Sequence, residues 1–594
     1  MVLIFGGTTE GRAAVRTLDE AGSSYYYSTR GKTQQLECKH GTRINGEMDR
    51  KSIQDFCISH DIRLIVDAAH PFAENLHANI ALISEELEIP VIRFERRYPE
   101  HDPSFIWCDS FDEAIRYLKR HSIRNLLALT GVQTIHKLHP YWSQYPCWFR
   151  ILNREDSLQL AKKENFPREK LLFWQEGEDE TALLEKIRPE AILTKESGES
   201  GFFREKTVAA KALHIPLLVI KRPPLPDSFY TVNGEHGLRY GVERLLPGFY
   251  PLRSGFTTGT CATAATKAAL QGLLTGTVPT EATITLPNGE EVTLPVEQGF
   301  LNEDSCKCCV TKDAGDDPDV THGRLICSEI RFNSSPEIRF LPGEGVGTVT
   351  LPGLGIPVGD PAINATPRAM MIREVERMIH QHKVDQGVDI RISVPEGSIL
   401  AQKTFNPKLG ITGGISIIGT SGIVRPFSTE AFINSIRKEI QVAKALGCKH
   451  IVINSGAKSE NRLRERFPDL PPQAFIHYGN FIGETLKMAE TEGIEKITMG
   501  IMIGKAIKLA EGHLDTHSKK VVMNKEFIRQ IAKEVKSPSA LIHSIADITL
   551  ARELWTLFAD SPAFFEKLIE YCYKYCLPQL CSSELEIILI QENN

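Results

Sequence analysis

Short apolar segments alternate with amphipathic helices over the first 220 residues, and this alternation constrains the fold more than any other feature of the chain. The strand-like segments include MVLIF, RLIVDA, PVIRF, LLALTG, AILTK and PLLVI, and helical stretches such as residues 73–87 separate them. Strands that alternate with helices form parallel sheets covered by helices on both faces. We therefore predict an α/β fold with an N-terminal pair of Rossmann-like parallel-sheet domains.

A domain boundary is expected near residue 248, because proline and glycine punctuate residues 221–228 and 246–255. After it, ATITLPNGEEVTLPV contains Asn288-Gly289, which favours a β-hairpin. The strand–helix alternation returns from about residue 411. We predict one unit over residues 1–248, with subdomains of about 1–100 and 101–248. Residues 249–594 are predicted to form an α+β part followed by an α/β part.

The composition excludes several classes of protein. The 594 residues exceed what one hydrophobic core organises, and the net charge of −6 with scattered Lys and Arg argues against nucleic acid. No apolar stretch approaches the roughly 20 residues that cross a bilayer, so we expect no membrane partner. The N-terminal MVLIFGG is too short for a signal peptide, and the 13 cysteines are irregularly spaced. We expect a cytoplasmic protein with reduced thiols.

A glycine turn follows the first strand, with Gly6, Gly7 and Gly11 leading into a helix. Backbone amides at such a position bind phosphate, but the spacing is not G-x-G-x-x-G and the Lys of a P-loop is missing. A nucleotide site and a simple tight turn both fit. His70 directly follows another strand, where α/β proteins bind ligands, although a histidine that fixes a turn fits equally well.

Four segments occur in the order IFGGTTEGR, DAAHPFA, LLALTGVQT and TKESGESGF. Over residues 1–245 they resemble the precorrin-6A reductase family of cobalamin biosynthesis, which implies a two-domain α/β reductase with NADH or NADPH between its halves. The resemblance implies that the macrocycle lies against His70, as a catalytic residue, and Phe72. The cofactor site implied by the resemblance comprises Gly6, Gly7, Thr8, Gly11, Ser28, Thr29, Thr130, Gly131, Lys195, Ser197 and Gly198. Arg30 suits a 2′-phosphate, which leaves NADH and NADPH both open.

A strongly acidic segment, TKDAGDDPDVT, places Asp313, Asp316, Asp317 and Asp319 within seven positions. Gly315 and Pro318 within it are incompatible with a regular helix. The spacing also fails the EF-hand pattern. On composition alone, a hydrated surface turn and a functional loop both remain open.

The surrounding motifs are RSGFTTGTCATAATKAAL, GEGVGTVTLPGLGIPVGDPAINATPR, FNPKLGITGGISIIGTSGIVRP, YGNFIGETLKMA and GKAIKLAEGHLDTHS. Over residues 250–580 they resemble the cobalt-precorrin-5B C1-methyltransferases, which implies S-adenosylmethionine-dependent methylation of ring carbon C1 in a cobalt-containing tetrapyrrole. Asp313, Asp316 and Asp317 are then expected to line the methyl-transfer site, because carboxylates stabilise a sulfonium cation.

Glycines permit close backbone approach, so we expect S-adenosylmethionine at Gly413, Gly414, Gly419, Thr420 and Gly422, although tight turns also explain these glycines. The macrocycle carries several carboxylates, which calls for cationic partners. The candidate substrate-binding residues within the resembling motifs are Thr257, Thr258, Arg368, Lys408, Lys505, Lys508 and His517. A solvated surface is the alternative reading for each of the cations.

No metal site is expected in the polypeptide. The C-x-C-C pattern of Cys306, Cys308 and Cys309 lacks the usual ligand spacing, and His513, Asp515 and His517 have no partner cluster in the sequence. The cobalt is expected to belong to the substrate.

Together the two resemblances imply one bifunctional enzyme of corrin-ring synthesis, in which the methylation product is the ring that the reductase consumes. Its partner is the tetrapyrrole, and other enzymes of the pathway are further candidates. The alternatives are a chain with one active half and a non-catalytic tetrapyrrole carrier. A sugar epimerase predicts a Tyr-x-x-x-Lys pair, which residues 1–220 lack. The proton donor, oligomeric state, orientation of the units and channelling of the intermediate stay open.

Overall fold

The computed structural model describes residues 1–31, 36–175, 177–198, 201–517 and 523–591. The chain forms two compact units, Met1–Leu252 and Arg253–Asn594. In the described residues, none of the helices combines the length and apolarity needed to cross a bilayer.

The first unit is built from short strands that alternate with helices. Its strands are β1 (Val2–Phe5), β2 (Tyr25–Thr29), β3 (Gly41–Asn45), β4 (Leu64–Asp67), β5 (Val91–Glu95), β6 (Ile106–Cys108), β7 (Leu126–Leu129), β8 (Cys147–Ile151), β9 (Leu171–Phe173), β10 (Ala191–Lys195), β11 (Leu217–Ile220) and β12 (Tyr230–Asn233). Its helices are α1 (Thr9–Asp19), α2 (Arg50–Ser59), α3 (Glu74–Leu87), α4 (Phe111–Arg120), α5 (His139–Trp142), α6 (Glu155–Lys163), α7 (Glu180–Ile187), α8 (Phe203–Ala212) and α9 (Gly234–Leu245).

Two six-stranded sheets organise this unit, in the orders β12-β5-β4-β1-β2-β3 and β6-β11-β10-β7-β8-β9. Every pairing in both sheets is parallel. The predicted pair of parallel sheets is therefore confirmed. The central strands β1 and β4 are buried along their whole length, as expected for sheets that helices cover on both faces.

The chain returns to the first sheet after completing the second. Strand β12 pairs with β5 through Tyr230 and Ile92, and α9 packs against α1. Residues 230–245 therefore lie with the first sheet, which corrects the expected subdomain of residues 101–248. The physical reason is that β5 offers an open edge to a parallel partner, and the apolar face of α9 closes the core beside it.

The second unit combines antiparallel and parallel sheets. Its strands are β13 (Gly255–Phe256), β14 (Glu281–Thr285), β15 (Glu291–Pro295), β16 (Gln298–Leu301), β17 (Ser305–Thr311), β18 (Leu325–Asn333), β19 (Ile338–Leu341), β20 (Thr348–Val349), β21 (Gly387–Ser393), β22 (Ile411–Thr412), β23 (Ile423–Val424), β24 (His450–Asn454), β25 (Phe475–His477), β26 (Lys496–Met502) and β27 (Glu584–Ile590). Its helices are α10 (Thr258–Thr275), α11 (Ala365–His382), α12 (Gly397–Ala401), α13 (Thr429–Ala445), α14 (Ala457–Arg466), α15 (Ile482–Thr491), α16 (Ile503–Ala510), α17 (Lys525–Glu534), α18 (Ser539–Ser544), α19 (Leu554–Leu557) and α20 (Pro562–Cys576).

A five-stranded sheet in the order β16-β17-β18-β21-β19 forms the α+β part, and a parallel sheet in the order β25-β24-β26-β27 forms the α/β part. This agrees with the predicted fold class. The predicted hairpin is confirmed as β14 and β15, with Gly289 at φ 83° in its turn. Helix α10 packs on β17 and β18 and is buried along most of its length, which its small alanine and threonine side chains permit.

Strands β17 and β18 are joined by a disulfide between Cys309 and Cys327, whose Cα atoms lie 4.0 Å apart. This corrects the expectation that all the thiols are reduced. The pairing register sets the two residues directly opposite each other. Cys306 and Cys308 are free thiols with their sulfur atoms 4.0 Å apart. In the described part of the chain, no group of three or more His, Cys, Asp and Glu side chains is arranged to hold a metal ion.

A buried ion network supports the carboxyl end of β4. Arg93, of which 1% is exposed, lies 3.0 Å from the fully buried carboxylate of Asp67 and 3.1 Å from Glu95. His77 contributes a second contact to Asp67, at 2.6 Å. Burial opposes ionisation, yet the pKa of Asp67 lies below its usual value because His77 and Arg93 stabilise the carboxylate.

Arg93→Met is expected to destabilise the first unit by about 3–5 kcal/mol, because it leaves two buried carboxylates without their cation. That loss lowers the midpoint of the unit's thermal transition by about 10 °C, measured by calorimetry of the full chain. The matched control is Arg63→Met, since Arg63 pairs with Asp61 at 3.0 Å with both side chains largely exposed. The control is expected to cost less than about 1 kcal/mol. Equal small shifts in both variants would contradict the analysis.

Candidate functional site

The glycine turn after β1 is shaped by Tyr27. A Cβ atom on Gly6 would lie 2.3 Å from the Tyr27 ring, and one on Gly11 would lie 2.8 Å from the Gly6 backbone. The Tyr27 hydroxyl accepts a hydrogen bond from the Gly7 amide at 3.0 Å. Thr8 caps α1 by accepting from the Gly11 amide at 3.0 Å. Packing therefore requires glycine at residues 6 and 11, whereas Gly7 is exposed and faces open space.

Loops from the two sheets of the first unit meet at the carboxyl ends of β1, β4 and β10. Arg96 joins them, since its guanidinium contacts the Glu10 carboxylate on α1 and the Ser197 carbonyl after β10, each at 3.0 Å. Phe72 packs against the core of the second sheet. The Lys195 ammonium lies 4.9 Å from the centre of the Phe72 ring. The sequence-predicted residues Phe72, Lys195 and Ser197 are thus brought together.

The remaining residues assigned to the nicotinamide site lie at the carboxyl ends of β2, β7 and β10. Ser28 and Thr29 end β2 beside the glycine turn, and the Ser28 carbonyl accepts from the Gly6 amide at 2.9 Å. Thr130 follows β7, with its hydroxyl 2.6 Å from that of Thr134. Gly131 and Gly198 have φ of 82° and 67°, a backbone region that favours glycine. Arg30 forms an exposed 3.0 Å ion pair with Glu47.

His70 and Lys195 differ in the charge that each side chain carries in this cleft. His70 keeps an open surface, but crowding by protein atoms and the cations Arg96 and Lys195 hold its pKa below the usual value. It is therefore a neutral imidazole at pH 7. Burial, together with Lys137, lowers the pKa of Lys195 to about 8. In the described residues no carboxylate lies within ion-pairing distance of Lys195, so its charge is available to an anion.

In the second unit, the acidic loop (residues 312–324) joins β17 to β18 without forming a helix, as predicted. Arg253 anchors it through a two-pronged contact with Asp313, at 3.0 and 3.3 Å, and through its amide to Asp316 at 2.7 Å. A Cβ on Gly255 would lie 2.1 Å from the Ala314 backbone, so β13 touches the loop directly. These contacts fix the loop to Arg253 and β13, so it is not a loose hydrated turn.

The other two aspartates of the acidic loop differ in their partners. Asp319 is ion-paired with the buried Lys312 and accepts from the Thr321 amide at 2.7 Å, which lowers the pKa of its carboxyl despite burial. Asp317 accepts only from the Phe427 amide, at 3.3 Å, and has no cation partner among the described residues. Burial raises its pKa. Of the three predicted catalytic aspartates, Asp317 is the one whose charge is uncompensated.

The glycine segment from Gly413 to Gly422 is an extended stretch that packs against several others. A Cβ on Gly414 would lie 2.3 Å from the Gly345 carbonyl oxygen, and one on Gly419 would lie 2.3 Å from the Thr257 hydroxyl. Gly422 meets Leu286 at 2.7 Å. Close packing thus explains three of these glycines. Gly413 and Thr420 are exposed.

The N-terminus of α10 ties the acidic loop to the glycine segment. The hydroxyl of Thr258 donates to the Ile418 carbonyl at 3.2 Å, and the Thr257 amide donates to the Gly422 carbonyl at 3.1 Å. Strand β13, which precedes α10, pairs with β23 and donates from the Phe256 amide to the Asp313 carbonyl at 2.7 Å. Both threonines are buried, so their observed contacts are structural.

Two predicted substrate cations are already neutralised within the fold. Arg368 contacts Asp360 at 3.2 Å and the Ile363 carbonyl at 2.9 Å. Lys408 lies 2.9 Å from Glu439 and 3.9 Å from Glu460. The charges of both residues are compensated internally, and their contact with substrate carboxylates stays a prediction.

Lys505 and Lys508 keep their charges available. The Lys505 ammonium donates to the Gly479 carbonyl and lies 5.5 Å from the centre of the Tyr478 ring. Lys508 contacts the Thr516 carbonyl at 3.4 Å. Neither pairs with a carboxylate in the described ranges. Burial lowers the pKa of Lys505 to about 8.

The carboxyl edge of the four-stranded sheet brings these lysines close to the loop that contains His517. The Thr516 amide donates to the Asn480 carbonyl at 3.0 Å, so residues 513–517 lie against the turn after β25. The His517 amide donates to Asp515 at 3.2 Å. Ligands bind at such carboxyl edges in α/β sheets.

Family comparisons agree with this division into two units. Residues 248–426 match the family model CbiD, and residues 515–594 match its C-terminal domain. The cobalt-precorrin-5B C(1)-methyltransferase of Prosthecochloris aestuarii is 44% identical over 345 residues, which span 57% of this chain and 94% of the relative. That of Geobacillus kaustophilus is 45% identical over 331 residues, or 55% and 89% of the two chains. The chain belongs to the cobalt-precorrin-5B C(1)-methyltransferase family.

The first unit is a second enzyme domain fused to the methyltransferase domain. Residues 1–236 match the family model Precorrin-6x reductase CbiJ/CobK. The crystal structure of the cobalamin biosynthesis protein CbiD of Archaeoglobus fulgidus is 29% identical, covers 45% of this chain and 83% of its own, and has a TM-score of 0.26. A structure of CobK precorrin-6A reductase is 19% identical, covers 42% and 98%, and has a TM-score of 0.35. By the two family models and the curated relatives, the chain is a precorrin-6A reductase domain fused to a methyltransferase domain of cobalamin biosynthesis.

Sequence reasoning missed several residues that shape both sites. Arg96 and Glu10 join the two halves of the reductase domain. Glu10 lies in the segment IFGGTTEGR, whereas Arg96 lies in none of the segments that carried the resemblance. In the methyltransferase domain, Lys312 lies within the acidic segment, which was an available signal. Arg253 precedes Asp313 by 60 residues, and only the fold shows its contacts with Asp313 and Asp316. Phe427 carried no signal, since only the fold shows its contact with Asp317.

Proposed function

We propose that the methyltransferase domain transfers a methyl group from S-adenosylmethionine to C1 of cobalt-precorrin-5B. We further propose that the reductase domain reduces the resulting cobalt-precorrin-6A ring with NADH or NADPH. The observation that carries the proposal is the 44% identity to a cobalt-precorrin-5B C(1)-methyltransferase over 94% of that relative. Methylation comes first, because its product is the substrate of the reduction.

The methyl-transfer site is proposed to lie around Asp317. Its uncompensated carboxylate suits the positive sulfonium of S-adenosylmethionine, since a fixed negative charge in a poorly hydrated site stabilises a cation. Asp313 and Asp316 hold the loop through Arg253 and thereby position Asp317. Methyl transfer depends above all on alignment, which such a tethered loop supplies.

The S-adenosylmethionine site is proposed along the Gly413–Gly422 segment. Its exposed members, Gly413 and Thr420, are the ones that offer a surface to a ligand, while Gly414, Gly419 and Gly422 give the segment its course. This segment reaches the acidic loop through the contacts of α10 and β13. When bound, the cofactor would supply the methyl group.

The carboxylates of the macrocycle are proposed to meet Lys505 and Lys508, with His517 nearby. In the reductase domain, Lys195 is proposed to hold an anionic group of the cofactor or the ring, and Phe72 to contact the ring. The nicotinamide would supply a hydride. Arg96 and Glu10 hold the two sheets at the geometry that the transfer needs.

The proposal is tested by anaerobic incubation of the purified chain with cobalt-precorrin-5B, S-adenosylmethionine and each nicotinamide, followed by mass spectrometry. The ring is expected to gain one methyl group and then two hydrogens. Omission of the nicotinamide is expected to stop the reaction after methylation. A ring that binds but gains neither group would support the non-catalytic carrier, and gain of the methyl group alone would support a chain with one active half.

Asp317→Asn is expected to lower kcat for methyl transfer at least tenfold, because it removes the uncompensated charge near the sulfonium. The asparagine oxygen still accepts from the Phe427 amide, so the thermal transition of the domain is expected to stay unchanged. Initial rates of methyl transfer and calorimetry give the two readings.

The matched controls for Asp317 are its neighbours. Asp313→Asn and Asp316→Asn are expected to lower stability as well as rate, because each weakens the Arg253 anchor. Asp304→Asn, at an exposed turn between β16 and β17, is expected to change neither. Full activity in all three loop variants would sink the assignment of this loop to the methyl-transfer site.

Lys195 is expected to weaken ligand binding by the reductase domain as the pH rises above neutrality. With a pKa of about 8, lowered from its usual value by burial, the ammonium is charged below pH 8 and is lost as the pH rises through 8. The KM for the anionic ligand it binds is therefore expected to rise about tenfold between pH 7 and pH 9. Steady-state kinetics with the ring and each nicotinamide varied in turn identify that ligand.

Lys195→Arg is expected to abolish this rise, because arginine stays charged throughout the range. Lys195→Met is expected to show the high KM at every pH. Lys211→Met serves as the control, since Lys211 is half-exposed on α8 and ion-paired with Asp102. An alkaline rise that persists in Lys195→Arg would show that another group is responsible.

A further inference from the structure

Phe427 has two properties that a structural role does not explain. Its side chain is 73% exposed, and no other large hydrophobic side chain of the described residues is more exposed. Its backbone has φ of 55°, in the left-handed region that a bulky aromatic residue rarely adopts. A strained backbone that presents an apolar ring to solvent gains nothing from packing. Strain of this kind clusters at functional sites.

The surrounding structure fixes this conformation from both sides. Before Phe427, β23 pairs with β13 through Ile423 and Phe256. After it, Ser428 caps α13 by accepting from the Ala431 amide at 3.2 Å. The Phe427 amide itself donates to Asp317 at 3.3 Å. The backbone that carries the ring is therefore held beside the uncompensated carboxylate of the acidic loop.

A second aromatic residue lies near Lys505. Phe432 lies on α13 and is 37% exposed. Its ring is 2.7 Å from the position that a Cβ on Gly479 would occupy. The Gly479 carbonyl accepts from Lys505. Phe427 thus contacts the carboxylate of Asp317 through its amide, and Phe432, on the helix that follows, lies against the turn whose carbonyl accepts from Lys505.

We propose that the Phe427 ring stacks on the face of the methyl acceptor, a flat conjugated macrocycle with carboxylate side chains, and holds it beside Asp317. Aromatic rings stack favourably on conjugated surfaces. The ligand class follows from the combination of an exposed aromatic face, a cation for the carboxylates and an anion for the sulfonium. This inference rests on the proposed methyltransferase function and adds a substrate-contact residue to it.

The test uses Phe427→Gly in the full chain, because glycine adopts φ of 55° without strain and keeps the amide that Asp317 binds. The variant is expected to be as stable as the wild type or more stable. With S-adenosylmethionine saturating, its KM for cobalt-precorrin-5B is expected to rise about fivefold. Its kcat is expected to change less than about twofold, and the KM for S-adenosylmethionine is expected to stay constant.

Two further variants separate stacking from other effects. Phe427→Trp keeps a flat ring and is expected to restore the wild-type KM for the macrocycle. Phe300→Ala removes another exposed aromatic ring, 57% exposed on the edge strand β16, and is expected to change nothing.

The outcomes distinguish this inference from the function on which it rests. A wild-type chain that transfers no methyl group overturns both. An active wild type together with an unchanged macrocycle KM in Phe427→Gly overturns the inference alone. A change of oligomeric state in Phe427→Gly, seen by sedimentation with the KM unchanged, would assign the ring to a contact between copies of the chain and likewise overturn it.

Discussion

Parallel strand pairing is the constraint on which the groups of candidate residues around Lys195 and Lys505 depend. When all strands of a sheet run in one direction, every loop that follows a strand emerges at the same edge. In the first sheet of the reductase domain this places the turn after β1 next to His70 after β4. Lys195 follows β10 at the carboxyl end of the second sheet, and Arg96 joins the loops of the two sheets. The four-stranded sheet of the methyltransferase domain does the same for Gly479 and Lys505. Residues that are far apart in the sequence can therefore contribute to one binding site.

Charge compensation decides which residues at those edges remain available for ligands. Asp313, Asp319, Arg368 and Lys408 resemble binding residues by type, but each has an opposite charge within ion-pairing distance. Taking a charge out of water is costly unless a partner or ligand compensates it. Asp317 therefore stands out through its lack of a cation partner among the described residues. The other three aspartates of the acidic loop form ion pairs that hold the loop in its conformation.

The sequence was sufficient to predict the parallel sheets, because strand–helix alternation is a local property of the chain. It was insufficient to place β12, because these four residues pair with β5, which lies more than a hundred residues earlier in the sequence. It also left the glycines of the 413–422 segment ambiguous. Ligand approach and close packing both demand glycine, and only the distances to Gly345 and Thr257 show that packing accounts for residues 414 and 419. The contact between Cys309 and Cys327 likewise depends on the register of β17 and β18, which the cysteine spacing alone does not reveal.

The two domains use the same physical device at their strand ends. Lys195 lies 4.9 Å from the Phe72 ring centre, and Lys505 lies 5.5 Å from that of Tyr478. Burial lowers the pKa of each to about 8, and neither has a carboxylate partner in the described parts of the chain. A lysine held this way is destabilised until an anion arrives, so binding energy is concentrated on anionic ligands. If both domains handle successive forms of one macrocycle, they face the same carboxylates. In each domain the lysine would then neutralise one carboxylate of the macrocycle, while the aromatic side chain beside it keeps the neighbouring surface apolar.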